Sequence, residues 1–312
     1  MSDPDPSAPL VWPVSTRTGT TNQRGLSGGL EEIFSLMPPG FAVQANGPVR
    51  APRQLAGTIA KTGRPTLAVI GAFSATTWPT PARIDAADEE EGRAALMQLS
   101  DTLPFLGSLR CPRLVVPIGC GDLPGADAIR SLLEDAEDPR RLIREYWQER
   151  VAPREEAVDR VIRRLDLLAR TASSVRFLLT PGSDPLTLLG AETAQWILED
   201  VPVSNLGLAL DTGAAGREGA LLGSGTDEWL EKLGDRTELV LLSDHDGRRR
   251  SDLLPGTGLM GFSDLTDSLP RGVPWILHGD PGVPGCFFRE SSRFLVDRMG
   301  PPPDTDNRPR AI

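Results

Sequence analysis

The chain has only two histidines, and one of them, His278, closes an apolar run, Trp275-Ile276-Leu277. A second apolar run, Leu206 to Leu210, closes on Asp211. A third, Val240 to Leu242, opens into Ser243-Asp244-His245-Asp246-Gly247 and then Arg248-Arg249-Arg250-Ser251-Asp252. An imidazole beside a carboxylate can hold and move a proton near neutral pH. It can also bind a metal, given enough further donors. Asp211 and His278 are therefore the candidate catalytic pair, and the same two side chains are the candidate metal ligands. Asp244, His245, Arg250 and Asp252 are the candidate substrate-binding residues, with the guanidinium a fork for phosphate or carboxylate. Each has a plainer reading. Asp211 can bond its own turn, and His278 can be a satisfied core histidine. Asp244-His245-Asp246-Gly247 has the composition of an ordinary turn, and the three arginines that of a solvated loop.

These residues need a scaffold that brings strand ends together. Apolar runs that break into Gly, Pro or Asp recur along the chain. They predict strands at Val11–Ser15, Phe41–Ala45, Thr66–Gly71, Arg113–Ile118, Val175–Thr180, Leu206–Asp211, Glu238–Ser243 and Val273–His278. Asp211 is read as the strand end, with the chain turning on Gly213. Helical stripes lie between the runs, the clearest being Val158, Val161, Ile162, Leu165, Leu168 and Ala169. Others are Leu30, Ile33, Phe34 and Met37 after the first strand, and Ala194, Ile197 and Leu198 after the fifth. Alternating strands and helices imply a parallel sheet, and eight units match an α/β (β/α)8 TIM barrel. The alternative, a doubly wound open sheet, usually carries a phosphate fingerprint, and Gly25, Gly28 and Gly29 do not space as one. Residues 11–299 are read as one barrel domain, with flexible tails at 1–10 and 300–312. The segment from Cys120 to Pro153, with Leu142, Ile143, Tyr146 and Trp147, predicts an extra helix after strand 4, over the mouth.

Composition narrows the function classes. The 312 residues are 39% hydrophobic and 24% charged, with a formal net charge of -10. A soluble globular protein fits these values, and a nucleic-acid binder would carry a basic surface instead. A local basic face remains open at Arg163-Arg164 and Arg248 to Arg250, which are clustered in sequence. No run is long and apolar enough to span a bilayer, and the acidic, proline-rich start is no signal peptide. Cys111, Cys120 and Cys286 are odd in number and show no C-x-x-C spacing, which points to a reducing, cytoplasmic setting. Cys120, between Gly119 and Gly121, is placed to face a pocket. Trp12 and Trp78 are the tryptophans placed to meet a ligand.

Four segments in order resemble the xylose isomerase-like TIM barrels, which include sugar and sugar-phosphate isomerases and epimerases and the apurinic endonucleases. The D-T-G-H-A of that family is similar to Asp211-Thr212-Gly213-Ala214-Ala215. Its H-x-x-D is matched in place by Leu241-Leu242-Ser243-Asp244, and its D-x-H-x-x-P-G-x-G by Arg250 to Gly258, which keeps Pro255-Gly256-Thr257-Gly258. Its L-E-G is matched by Leu277-His278-Gly279. The resemblance implies a barrel working at the mouth on a sugar-like small molecule, with a divalent metal held at four strand ends. Here the fifth-strand end offers Leu178, Leu179 and Thr180, and Ala214 and Leu241 replace two histidines. His278 replaces a glutamate, and Asp211 alone is kept. The expectation is a sugar or sugar-phosphate isomerase/epimerase-like protein with a divergent, degenerate metal site, the cofactor being a divalent metal or none. The alternative is a non-catalytic barrel for ligand binding or scaffolding that has lost the metal ligands. A DNA-repair nuclease lacks both the ligands and the charge. No nucleic acid or membrane partner is expected, and an oligomer is left open.

Overall fold

The computed structural model describes residues 14–17, 36, 38–44, 52–71, 83–133, 135–182, 184–223, 225–280 and 283–303. Eight parallel strands close into a barrel in chain order. They are β1 (Val14–Arg17), β2 (Phe41–Gln44), β3 (Thr66–Ile70), β4 (Arg113–Ile118), β5 (Arg176–Pro181), β6 (Leu206–Asp211), β7 (Thr237–Leu242) and β8 (Trp275–Leu277). The seam closes where Val14 of β1 faces Leu277 of β8. Helices fill the crossovers, because parallel neighbours cannot be joined by a tight turn. They are α1 (Pro52–Lys61), α2 (Glu89–Leu109), α3 (Ala126–Leu133), α4 (Pro139–Gln148), α5 (Val151–Thr171), α6 (Ala191–Asp200), α7 (Thr212–Leu222), α8 (Thr226–Leu233), α9 (Phe262–Leu265) and α10 (Gly285–Met299).

Side-chain alternation sorts each strand into two cores. Ala42, Ala68, Val115, Leu178, Ala209 and Ile276 form a cluster inside the barrel. Their neighbours Val43, Val69, Leu114, Phe177, Leu208 and Leu277 belong to the larger cluster that meets the helices. The same alternation decides the mouth. Two residues beyond Leu178, Ala209, Leu239 and Ile276, the inward positions at the strand ends fall on Thr180, Asp211, Leu241 and His278. At the opposite, N-terminal end, the buried guanidinium of Arg176 pairs with the buried carboxylate of Glu238. That pair ties β5 to β7 on the face that barrels use for stability.

The expected barrel is the observed one, with differences at element ends. The first strand reaches Arg17 rather than Ser15, and 11–13 lie outside the described residues. The early helix expected from Leu30 to Met37, apart from Leu36, and both tails, apart from 300–303, also lie outside them, as do Trp12 and Trp78. Helix α1 was not expected; among its described side chains Ala56 and Ile59 are buried, too few to give a clear stripe. The insertion after β4 forms two helices, α3 and α4, where one was expected. Asp138 supplies the α4 cap by accepting from Arg141 N–H at 3.0 Å, and Pro139 opens the helix. Among the described residues, no helix is long and apolar enough to cross a membrane.

Candidate functional site

Asp211 does not end its strand in a glycine turn. It is the N-cap of α7, a helix hidden in sequence by three glycines among its eleven residues. Asp211 Oδ1 accepts from the backbone N–H of Ala214 at 3.0 Å and from the Ser243 hydroxyl at 2.5 Å. Ser243 Oγ in turn accepts from Gly213 N–H at 2.9 Å, and Ser243 N–H donates to Thr212 Oγ1 at 3.0 Å. The D-T-G turn and Ser243 therefore lock the C-terminal ends of β6 and β7 together. Gly213 is required by space: a Cβ there would lie 2.6 Å from both Asp244 O and Ser243 Oγ. Gly213→Ala is expected to cost about 1–3 kcal/mol by overpacking, read from urea unfolding; a cost under about 0.5 kcal/mol would show that the turn relaxes freely.

Asp211 Oδ2 remains for the mouth. It lies 4.0 Å from His278 Nε2, with side-chain exposures of 12% and 9%. That is too long for a direct hydrogen bond, yet one oxygen can touch both groups. Thr180, one strand before, is 4% exposed, and its hydroxyl has no hydrogen-bond partner among the described residues. A buried hydroxyl is ordinarily satisfied. Thr180, Asp211 and His278 thus form a polar layer at the end of the apolar barrel interior.

The other expected site residues fall elsewhere. Asp244 is fully buried and accepts four backbone N–H groups. Its Oδ1 takes His245 at 2.8 Å and Met260 at 2.9 Å, and its Oδ2 takes Gly256 at 3.1 Å and Gly258 at 2.9 Å. The Pro255-Gly256-Thr257-Gly258 segment is folded around this one carboxylate. His245 Nδ1 accepts from Gly247 N–H at 3.0 Å, which leaves the ring proton on Nε2. Burial holds its pKa below the usual value, with Asp244 and Asp246 opposing the shift. The ring lies against Gly216, where a Cβ would come within 2.6 Å of Nε2. Asp246 accepts from the N–H groups of Arg248, Arg249 and Arg250, so the basic triplet is a capped turn. Burial alone would raise the Asp246 carboxyl, but these three donors bring it below its usual value. Arg250 is spent on two carboxylates, Asp252 at 3.2 Å and Asp280 at 3.0 Å. Asp280 N–H donates to Asp252 O at 2.6 Å, which fastens this rim cluster to the loop after His278.

Cys120 does face a pocket. It lines a cleft of about 560 Å³ between the loops after β3, β4 and β5, with Asp85, Asp122, Arg130 and Asp184. Arg130 Nη2 stands 2.8 Å from its sulfur and also pairs with Asp184. Burial pushes the thiol above its usual pKa, Asp184 adds to that, and Arg130 opposes it. A thiol held protonated is a poor nucleophile. The basic Arg164 of the sequence is 6% exposed and donates to Ile84 O and Ala86 O, a structural post between α5 and the loop before α2.

A divalent centre of the kind the resemblance implies needs three or more strong donors. Among the described residues, no three His, Cys, Asp or Glu side chains converge. Asp211 and His278 supply two donors, and one oxygen of Asp211 is already engaged. The described donor set does not fit such a metal.

No protein-family description matches the chain, and no curated protein matches its sequence. Solved structures do match in fold. A xylose isomerase domain protein from Planctomyces limnophilus superposes with a TM-score of 0.63 at 17% identity, covering 94% of this chain and 98% of its own. A D-tagatose 3-epimerase-like protein gives 0.64 at 16% identity, covering 92% and 96%. A D-psicose 3-epimerase solved in the presence of D-fructose gives 0.60 at 12% identity, covering 92% and 99%. The chain has the TIM-barrel fold of these solved structures, two of which are named as sugar epimerase or epimerase-like proteins.

Sequence reasoning missed Thr180, Arg217 and Glu218. Thr180 was set aside as a poor ligand. The signal was its place two residues after Leu178 on an inward-facing parity. Arg217 is 2% exposed and donates to Arg249 O, Ser251 Oγ and Asp184 O, joining the loops after β5 and β7. Glu218 is pushed to a pKa of about 7, first by burial. Both sit on α7, which the sequence did not announce as a helix.

Proposed function

We propose that this protein is a sugar or sugar-phosphate isomerase/epimerase-like enzyme with a divergent mouth, in which His278 and Asp211 are the working pair. The observation that carries this reading is the approach of His278 Nε2 to Asp211 Oδ2 in a polar layer that also holds the unpartnered Thr180 hydroxyl. The neighbours' names, sugar epimerases among them, support the substrate class. In this reading the imidazole takes a proton from carbon beside a carbonyl and returns it. Asp211, fixed by Ser243 and Ala214, stabilises the imidazolium and orients it. The Thr180 hydroxyl bonds a substrate oxygen in a site with little water.

A second reading, a non-catalytic ligand-binding barrel, is favoured by a specific observation. The carboxylates of Asp244, Asp246 and half of Asp211 are consumed by backbone donors. One panel separates the two: ketoses, aldoses and their phosphates, assayed with and without Mn, Mg, Co or Zn. Turnover of one of them is expected, with His278→Ala lowering kcat/KM by about 10²–10⁴ and shifting Tm little. Failure of every compound would refute catalysis. Unchanged rates with a large Tm loss in His278→Ala would make His278 structural.

A further inference from the structure

A second concavity, lined by Pro181 and Ala214 but by none of Thr180, Asp211 and His278, lies between the inserted helix α4, the start of α5, and α7. Its volume is about 260 Å³, and Arg144, Trp147, Arg154, Arg217, Glu218 and Leu222 are among its walls. Three arginines and one carboxyl group line it, with Glu192 and Glu155 also within electrostatic reach of Arg154.

The three guanidiniums differ in how they are held. Arg217 is buried and fastened to Arg249 O, Ser251 Oγ and Asp184 O. It contributes charge and rigidity to the wall. Arg154 lies 5.1 Å above the Trp147 ring and gives one hydrogen bond, at 2.7 Å, to the Thr193 hydroxyl. No carboxylate pairs with it within 4.0 Å among the described residues. Partial burial lowers its pKa, and the attraction of Glu192, Glu218 and Glu155 offsets that only in part. A desolvated guanidinium without an ion-pair partner is costly, and such groups are ordinarily paired. Arg144 is exposed and has no hydrogen bond or ion pair among the described residues.

Glu218 does not neutralise this set. Its Oε2 accepts from Trp229 Nε1 at 2.8 Å, on the side of α8. Burial, aided by Glu228, raises its pKa to about 7, so it carries only part of a negative charge at neutral pH. The cleft is thus a positively charged recess with apolar walls, where Trp147 and Leu222 meet the guanidiniums.

We propose that this cleft binds a small oxyanion, the phosphate or carboxylate group of a compact metabolite, held between Arg144 and Arg154. The planar guanidinium fork matches either group. The volume lies below the usual range of about 300–1,000 Å³ for drug-sized ligands, so the body attached to the anion is short. The cleft adjoins the barrel mouth through Pro181 and Ala214, and the proposal stands whether or not the mouth is catalytic.

Calorimetric titration of the full chain with inorganic phosphate, and separately with propionate, tests it. Sodium chloride at matched ionic strength controls for screening. One saturable site is expected for phosphate or propionate and none for chloride. Tighter phosphate identifies a phosphorylated ligand and tighter propionate a carboxylated one, and either supports the site. Arg154→Gln is expected to weaken binding about tenfold or more, as loss of a charge-assisted bond does. Arg154→Lys should recover part of that loss. Arg144→Gln should weaken binding about fivefold, while Arg141→Gln, the same charge change on the outer face of α4, should leave it unchanged. Heats of dilution alone, or equal affinity in wild type and Arg144→Gln, would overturn the proposal. Arg144 is exposed and partnerless, so that variant decides the question even if Arg154→Gln fails to fold.

Discussion

Asp244→Ala is expected to destabilise the protein by about 3–5 kcal/mol, a drop in Tm on the order of 10 °C. The carboxylate is fully buried and is the common acceptor for the N–H groups of His245, Gly256, Gly258 and Met260. Removing it strands four donors, each costing about 1–3 kcal/mol where water cannot reach. Only part of that total is expected, because the loop surface can admit water once it loosens. Asp244→Asn should be intermediate. It keeps one acceptor oxygen but turns an amide against two donors. Gly258 offers no slack for rearrangement, since a Cβ there would lie within 2.7 Å of the Asp244 carboxyl carbon. Urea unfolding of both variants measures the effect. A loss below about 1 kcal/mol for Asp244→Ala would show that the loop is held by something other than this carboxylate.

Asp244 also shows where the sequence stops being readable. Its acceptor role depends on donors twelve to sixteen positions later, and no local pattern couples Asp244 to Gly258. From composition alone Asp244-His245-Asp246-Gly247 reads more readily as an ordinary turn than as a ligand-binding segment. The barrel was far easier to see. Strands such as Leu206–Asp211 alternate small and large apolar residues because one face fills a narrow interior and the other meets helices. That constraint repeats at every strand, so eight weak signals reinforce one another. The placement of Asp211 and His278 at one mouth followed from the same regularity. Helix α7 was hidden because Gly213, Gly216 and Gly219 lower its propensity. Two of those glycines are there for close approach, Gly213 to the Asp244 and Ser251 carbonyls and Gly216 to His245 and Met260. Tertiary crowding thus removed the local helix signal, and with it the warning that Arg217 and Glu218 lie on a helix that borders the cleft.

Glu218→Gln is expected to make the protein more stable at pH 8 by up to about 3 kcal/mol and to change little at pH 4.5. The carboxyl is held at a pKa of about 7 against an ordinary value of 4.5. Burial is the largest cause, and the Trp229 Nε1 donor, the Ala191 N–H and Arg217 oppose it without prevailing. Because the folded form binds this proton more tightly, the protonated group's contribution is fully present below pH 4.5. It is lost as pH rises toward and through 7, where the folded carboxyl must ionise in a poor solvent. Glutamine removes the ionisation yet keeps an acceptor for Trp229 Nε1, whose 2.8 Å bond ties α7 to α8. Other groups titrate identically in both proteins, so the difference between variant and wild type isolates Glu218. Urea unfolding of the pair at pH 4.5, 6, 7 and 8 traces that difference. It should grow steadily across the interval, and a gap that stays constant with pH would mean that Glu218 is solvated and titrates as an ordinary carboxyl. The same experiment bears on why three arginines can crowd this region. Burial, rather than their positive charge, sets the pKa of the one carboxyl lining the recess, which is largely protonated below pH 7 and above it places a single negative charge among three guanidiniums.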